Sequence, residues 1–186
     1  MTVLHWVRHG PTHARAMVGH RDLPADLSDA AALARLGAAL PMAPVVSSDL
    51  KRARATADAL AGPRERLPDD PGLREIDFGA WDGLAHDEIE DRAALMAFWD
   101  APGAARAPGG ESWDMLAARV DAATARLLAL GAPHVIVVAH MGPILRMVQR
   151  GLGCSAYEAF GHRIEPLSLT RIGTDPWRAE AIGILP

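Results

Sequence analysis

Two short apolar runs in this chain each end in a histidine. Val3-Leu4-His5-Trp6-Val7 leads into Arg8-His9-Gly10, and Val135-Ile136-Val137-Val138-Ala139 leads into His140-Met141-Gly142-Pro143. A third run, Val45-Val46-Ser47-Ser48, precedes a segment carrying Arg52. Two histidines and two arginines placed in this way can cradle a dianion. Arginine's planar fork grips two oxygens at once, and a helix N-terminus adds backbone N–H groups and partial positive charge. A histidine beside arginines has its protonated form disfavoured. It then keeps a free ring nitrogen near neutral pH that can attack phosphorus, while the cations stabilise charge on the equatorial oxygens. A leaving alkoxide also needs a proton. Asp22, Asp49, Glu75, Asp77, Asp82 and Glu111 are all available, and residue type and spacing do not choose among them. Taken singly, a strand-end histidine is more often structural, Arg8 reads as a surface charge and Arg52 as a solvated helix residue. All four at strand ends together weigh against that reading.

These residues need strands and helices to bring them together. Val3 to Arg8, Val45 to Ser48 and Val135 to Ala139 read as short strands buried on both faces. Between them lie helical patterns. One follows Ser28 and Asp29, an N-cap and a first-turn acid, with Leu33, Leu36 and Leu40 on one face. A second runs from about Asp49 to Leu60 behind Ser48 as cap. The longest follows Ser112, with Trp113, Leu116, Val120, Ala123, Leu127 and Leu130 at steps of three and four. Gly142-Pro143 opens another, proline being suited to a first turn. Shorter helical stretches are expected near Leu84 to Glu90 and Ala93 to Trp99, and Leu67 and Leu73 to Ile76 as extended chain. Ala101 to Gly110, rich in Ala, Pro and Gly, reads as a surface loop. Leu167 to Ile172 and Trp177 to Ile184 read as a hairpin around Gly173-Thr174-Asp175-Pro176. Alternating strands and helices predict a three-layer α/β/α sandwich with a mostly parallel sheet and an antiparallel edge strand. In such sheets ligands bind beyond the carboxyl ends of the strands, where Arg8, His9, Arg52 and His140 fall.

The 186 residues, 49% hydrophobic, suit a single domain, residues 1–186, with a sizeable core. The net charge of -4 provides no basic field, so no nucleic-acid partner is expected. No apolar run reaches the ~20 residues of a membrane helix. A strand starts almost at once, leaving no room for a cleaved signal, so a cytoplasmic location is expected. The one cysteine, Cys154, makes no internal disulfide possible and is expected to be buried and inert. Eight histidines show no ligand-like spacing, so no metal is expected. His13 and His20 are placed at the mouth of the site. Trp81, Phe98, Trp99 and Trp113 are read as core or lid packing.

Arg8-His9-Gly10 with Thr12 resembles the opening motif of the histidine phosphatase superfamily, the phosphoglycerate mutase-like group (branch 1). Ser48 to Ala57 resembles its second motif, Leu73 to Gly83 its third, Pro108 to Ser112 a loop before a long helix, and Val137 to Gly142 its last motif. The order matches over nearly the whole chain. Four positions depart from the pattern: Pro11, Arg15, extra residues within Asp22 to Leu27, and Met141 where glycine is usual. The resemblance implies His9 as nucleophile, Glu75 as proton donor and His140 as the second pocket histidine. It implies substrate binding by Arg8, Arg52, Thr12 and Met141, with no cofactor and no metal. The expected activity is hydrolysis of a small-molecule phosphomonoester through phosphohistidine. The alternatives are a cofactor-dependent phosphoglycerate mutase and a catalytically inactive phosphate-binding module.

Overall fold

The computed structural model describes residues 1–186. Five strands, β1 (Val3–Arg8), β2 (Val45–Ser47), β3 (His134–Ala139), β4 (Leu169–Thr174) and β5 (Trp177–Ile184), form one sheet in the order β2-β3-β1-β4-β5. β2, β3 and β1 run parallel. The β4–β5 hairpin adds to β1 antiparallel, so the sheet is mixed, with a parallel core and antiparallel strands on one side.

Six helices surround the sheet: α1 (Ala30–Ala39), α2 (Lys51–Ala61), α3 (Arg92–Asp100), α4 (Trp113–Leu128), α5 (Met141–Leu152) and α6 (Ala156–Phe160). The alternation along the central strands shows why both faces must be covered. Leu4, Trp6, Val135 and Val137 belong to the core that includes Leu116 and Val120 of α4 and Ile144 and Val148 of α5. Val7, Ile136 and Val138 belong to a second core with Leu36 of α1 and Ala53, Ala57 and Leu60 of α2. A strand with apolar residues on both sides of its period-2 pleat is stable only between two layers. The expected three-layer sandwich results.

Several local expectations shift. Asp29, not Ser28, caps α1, accepting a hydrogen bond from Ala32 N. α2 starts at Lys51 with no side-chain cap. Leu84 to Glu90 contains only a single 3-10 turn, His86–Glu88, and Leu73 ends another, Pro71–Leu73. α6 was not expected. Ala101 to Gly110 is only partly a surface loop: Ala107 and Gly110 are buried, and Ala80 N donates to Pro108 O. Cys154 is half-buried. No helix is long and apolar enough to cross a membrane.

Candidate active site

Strand register sets the site. Arg8 pairs with Ala139 across β1 and β3, and Ser47 pairs with Val138 across β2 and β3. The next residues, His9, His140 and Ser48, therefore emerge side by side at the carboxyl edge. Backbone bonds carry the pairing one step further, from His9 N to Ala139 O at 3.1 Å and from Ser48 N to Val138 O at 3.1 Å. The two imidazoles lie 5.0 Å apart, centroid to centroid.

Arg52, from the first turn of α2, is fully buried between them. Its Nη1 donates to Arg21 O and its Nη2 to Gly19 O, each at 2.7 Å. Its Nε donates to both His9 Nε2, at 3.3 Å, and His140 Nδ1, at 3.2 Å. These bonds settle both tautomers. His9 Nδ1 donates to Gly10 O at 2.6 Å, so Nε2 carries the lone pair. His140 Nε2 donates to Ser48 Oγ at 2.6 Å, so Nδ1 carries its lone pair. Burial, then the neighbouring Arg52, and more weakly Arg8, lower the His9 pKa to about 3, against the opposing bond to Gly10. Burial, then His9 and Arg52, push His140 well below the usual histidine range. Both rings are neutral at pH 7.

Arg8 donates from Nη1 to Ile164 O at 2.5 Å, while its buried Nε has no partner in the protein. Such an orphan cationic N–H suits an anionic ligand. Glu75 is also buried. Its Oε1 accepts from Ile76 N and Gly142 N, both at 2.9 Å, and its other oxygen is uncommitted. Only glycine fits at position 142, because a Cβ there would overlap Glu75 Oε1. Arg119 holds the backbone on this side. It donates to Glu75 O at 3.1 Å and Arg74 O at 2.8 Å, and its Nε and Nη2 both bond Glu111. Of the six candidate carboxylates, Glu75 alone reaches the histidine–arginine cluster's cavity.

That cavity, about 250 Å³, is lined by Arg8, His9, Thr12, Arg52, Glu75 and Met141 among others. His140 sits directly behind, in contact through Arg52. The residues picked out in the sequence are thus brought together. Met141 occupies the first turn of α5, where a backbone N–H has no intrahelical acceptor. His13 and His20 do not line the cavity. His13 pairs with Asp26 at 2.8 Å on the surface, and His20 donates to Glu75 O at 3.1 Å from outside. His86, which the sequence did not single out, lines it instead. Phe98, Trp99 and Trp113 combine packing with lining the cavity. Ser48 fits a helix-cap pattern in the sequence, and that pattern conceals its bond to His140.

Residues 4–183 match the model of the histidine phosphatase superfamily (branch 1). A bifunctional protein of Mycobacterium tuberculosis is 34% identical over 143 residues, 74% of this chain, which spans only 38% of that relative's length. A probable phosphoglycerate mutase of Proteus mirabilis is 30% identical over 191 residues, covering 96% of this chain and 89% of the relative. The structure of YhfR from Bacillus stearothermophilus superposes with a TM-score of 0.89 at 26% identity, over 100% of this chain and 98% of that one. The chain belongs to the histidine phosphatase superfamily, branch 1.

Proposed function

We propose that the protein hydrolyses a small phosphomonoester through a phosphohistidine on His9. The observation that carries this is the His9 tautomer. Nδ1–H is committed to Gly10 O, and Nε2 keeps its lone pair beside two arginines. The bond from Arg52 to that lone pair is long, so little is lost when Nε2 turns to an electrophile. Nε2 attacks phosphorus and the P–O ester bond breaks. Glu75, through the oxygen not held by Ile76 N and Gly142 N, gives its proton to the leaving oxygen. Glu75, now ionised, takes a proton from water as that water attacks phosphorus and the N–P bond breaks. Inorganic phosphate leaves and Glu75 is again protonated. Arg8, Arg52, Thr12 and the Met141 N–H hold the phosphoryl oxygens. His140, neutral behind Arg52, holds that guanidinium in place by accepting its Nε–H on Nδ1. No cofactor or metal takes part in this scheme.

A mutase reading draws on the Proteus relative's name. Against it, the cavity offers no arginine or lysine beyond Arg8 and Arg52, so a substrate carboxylate would have no second cation to meet. The deciding experiment uses 3-phosphoglycerate with a bisphosphoglycerate primer, beside a panel of phosphomonoesters. Phosphate release faster than isomerisation supports hydrolysis; the reverse order overturns it. Acid-labile, base-stable phosphoenzyme should be trapped in the wild type and absent in His9→Ala, and its persistence in that variant would displace His9 as nucleophile.

A further inference from the structure

Outside Arg8, His9, Thr12, Arg52, Glu75 and His86, the cavity lining is apolar and rich in rings. The chain has three phenylalanines, and all three, Phe78, Phe98 and Phe160, line this one cavity, together with Trp99 and Trp113. Twelve of the 19 lining residues are hydrophobic, and no lysine, aspartate, asparagine, glutamine, serine or tyrosine is among them. A leaving group bearing many hydroxyls, or a carboxylate, would give up more hydrogen bonds to water than the lining could replace. A flat apolar group would bury itself against rings.

Beyond the phosphate-holding groups and Thr12, the polar groups are the Trp99 indole N–H, which has no partner in the protein, and His86, whose placement is informative. It is exposed, yet it lines the cavity, so it stands at the mouth. Its ring lies over Trp99 with centroids 5.6 Å apart and planes 26° from parallel. Trp99 is braced edge-on by Phe98 at 5.0 Å and by Phe160 at 5.8 Å. The Arg92 guanidinium, in the first turn of α3, donates to His86 O and ties the mouth turn to that helix. The Trp99–His86 pair thus extends a flat wall from the buried rings to solvent.

We propose that the alcohol released here is a neutral, one-ring, mainly apolar alcohol, and that its ring stacks on the Trp99–His86 wall. This rests on the hydrolase reading for the word "alcohol" and on the cavity alone for the ring. Size agrees: an apolar cavity of about 150 Å³ takes a benzene ring, and about 250 Å³ holds one ring beside a phosphoryl group. Trp99 and His86 are then specificity-determining residues that touch the leaving group and not the phosphorus.

The test separates ring recognition from turnover. Binding of 2-phenylethylphosphonate and of ethylphosphonate is measured by calorimetry. Turnover of 2-phenylethyl phosphate is compared with that of glycerol phosphate and 3-phosphoglycerate, all alkoxide leaving groups, so that leaving-group reactivity does not set the order. The phenyl compounds should be favoured by roughly 10- to 100-fold in both assays, the range that burying a phenyl-sized side chain supplies. His86→Ala, at an exposed position, should lower the phenyl-to-ethyl binding ratio about threefold. Trp99→Ala, checked for folding by circular dichroism, should lower it by about tenfold or more. A binding ratio near one in the wild type overturns the proposal, as does a ratio that His86→Ala leaves at the wild-type value. Selective binding of the phenyl compound with no phosphate released from any ester would overturn the hydrolase reading and leave the ring site standing.

Discussion

Replacing Gly142 by alanine tests how the acid is aimed. The new Cβ would meet Glu75 Oε1 well inside 3.0 Å, a separation real Cβ atoms essentially never show, and would stand 3.0 Å from Leu116 Cδ1. Leu116 is fully buried in the core between α4 and the sheet, so the carboxylate is the part that moves. Moving it breaks the 2.9 Å bond from Gly142 N and rotates the other oxygen away from the leaving group. Hydrogen bonds to charged groups contribute about 1.5–3 kcal/mol, and positioned acid catalysis contributes roughly 10²–10⁴ in rate. We expect kcat/KM for an alkyl phosphate to fall about 100-fold, which corresponds to about 2.7 kcal/mol. For p-nitrophenyl phosphate, whose leaving group needs no proton, the fall should stay under about tenfold. In a Glu75→Gln background the glycine substitution should add little, because its target is already disabled. Rates would be read beside urea midpoints, so that loss of folded protein is not mistaken for loss of chemistry. Equal losses on the two esters, or full additivity with Glu75→Gln, would refute this account of the site.

Acid should destabilise the protein in a window set by its buried histidines. His9 and His5 are lowered to about 3 and about 4, in each case by burial first, whereas an unfolded histidine titrates at 6.5. Between those limits the unfolded chain binds more protons, so stability is fully present above pH 6.5 and is lost as pH falls. With His140 shifted the same way, each such histidine steepens the loss by up to about 1.4 kcal/mol per pH unit in this window. Urea midpoints should show it, His5→Leu should remove about a third of it, and a flat profile would contradict the burial argument. Ser48→Ala leaves His140 Nε2–H buried without an acceptor; it should lower stability by about 1–3 kcal/mol in urea titrations and kcat/KM about tenfold, and wild-type values for both would mean the bond is idle. No three His, Cys, Asp or Glu side chains cluster in a way that could hold a metal ion, and EDTA dialysis should leave phosphate release unchanged. A loss restored by a divalent cation would require a different mechanism.

The strands and the long helix were legible because their signals are local. Val135 to Ala139 is apolar at every position, which only a strand covered on both faces tolerates. Ser112 does cap α4, accepting from Met115 N at 3.2 Å, and Trp113, Leu116, Val120, Ala123 and Leu127 behind it are buried as expected, whereas Leu130 lies beyond the helix and is exposed. The weaker expectations failed where a local pattern had a non-local competitor. Leu84 to Glu90 has helical composition, yet Gly83 N bonds Met17 O and Met17 N bonds Leu84 O. These loop contacts leave a single turn where a helix was expected.

The chain by itself determined which groups the site would contain: two histidines directly after strands, an arginine at a strand's end, and another arginine in the first turn of a helix are read from adjacency along the sequence. Only the tertiary structure decided how those groups stand relative to one another. The parallel register of β1, β2 and β3 sets His9, His140 and Ser48 abreast. Arg52 reaches between the rings because Gly19 and Arg21, distant in sequence, offer their carbonyls. From the residues alone the six carboxylates were equivalent; Glu75 differs because α5 presents a glycine N–H to its oxygen. The ring-lined wall gathers Phe78, the adjacent Phe98 and Trp99, Trp113 and Phe160 from four separate segments, and no spacing in the sequence encodes that convergence. Tautomer, burial and convergence depend on what lies across space from a side chain, and sequence order records only its neighbours along the chain.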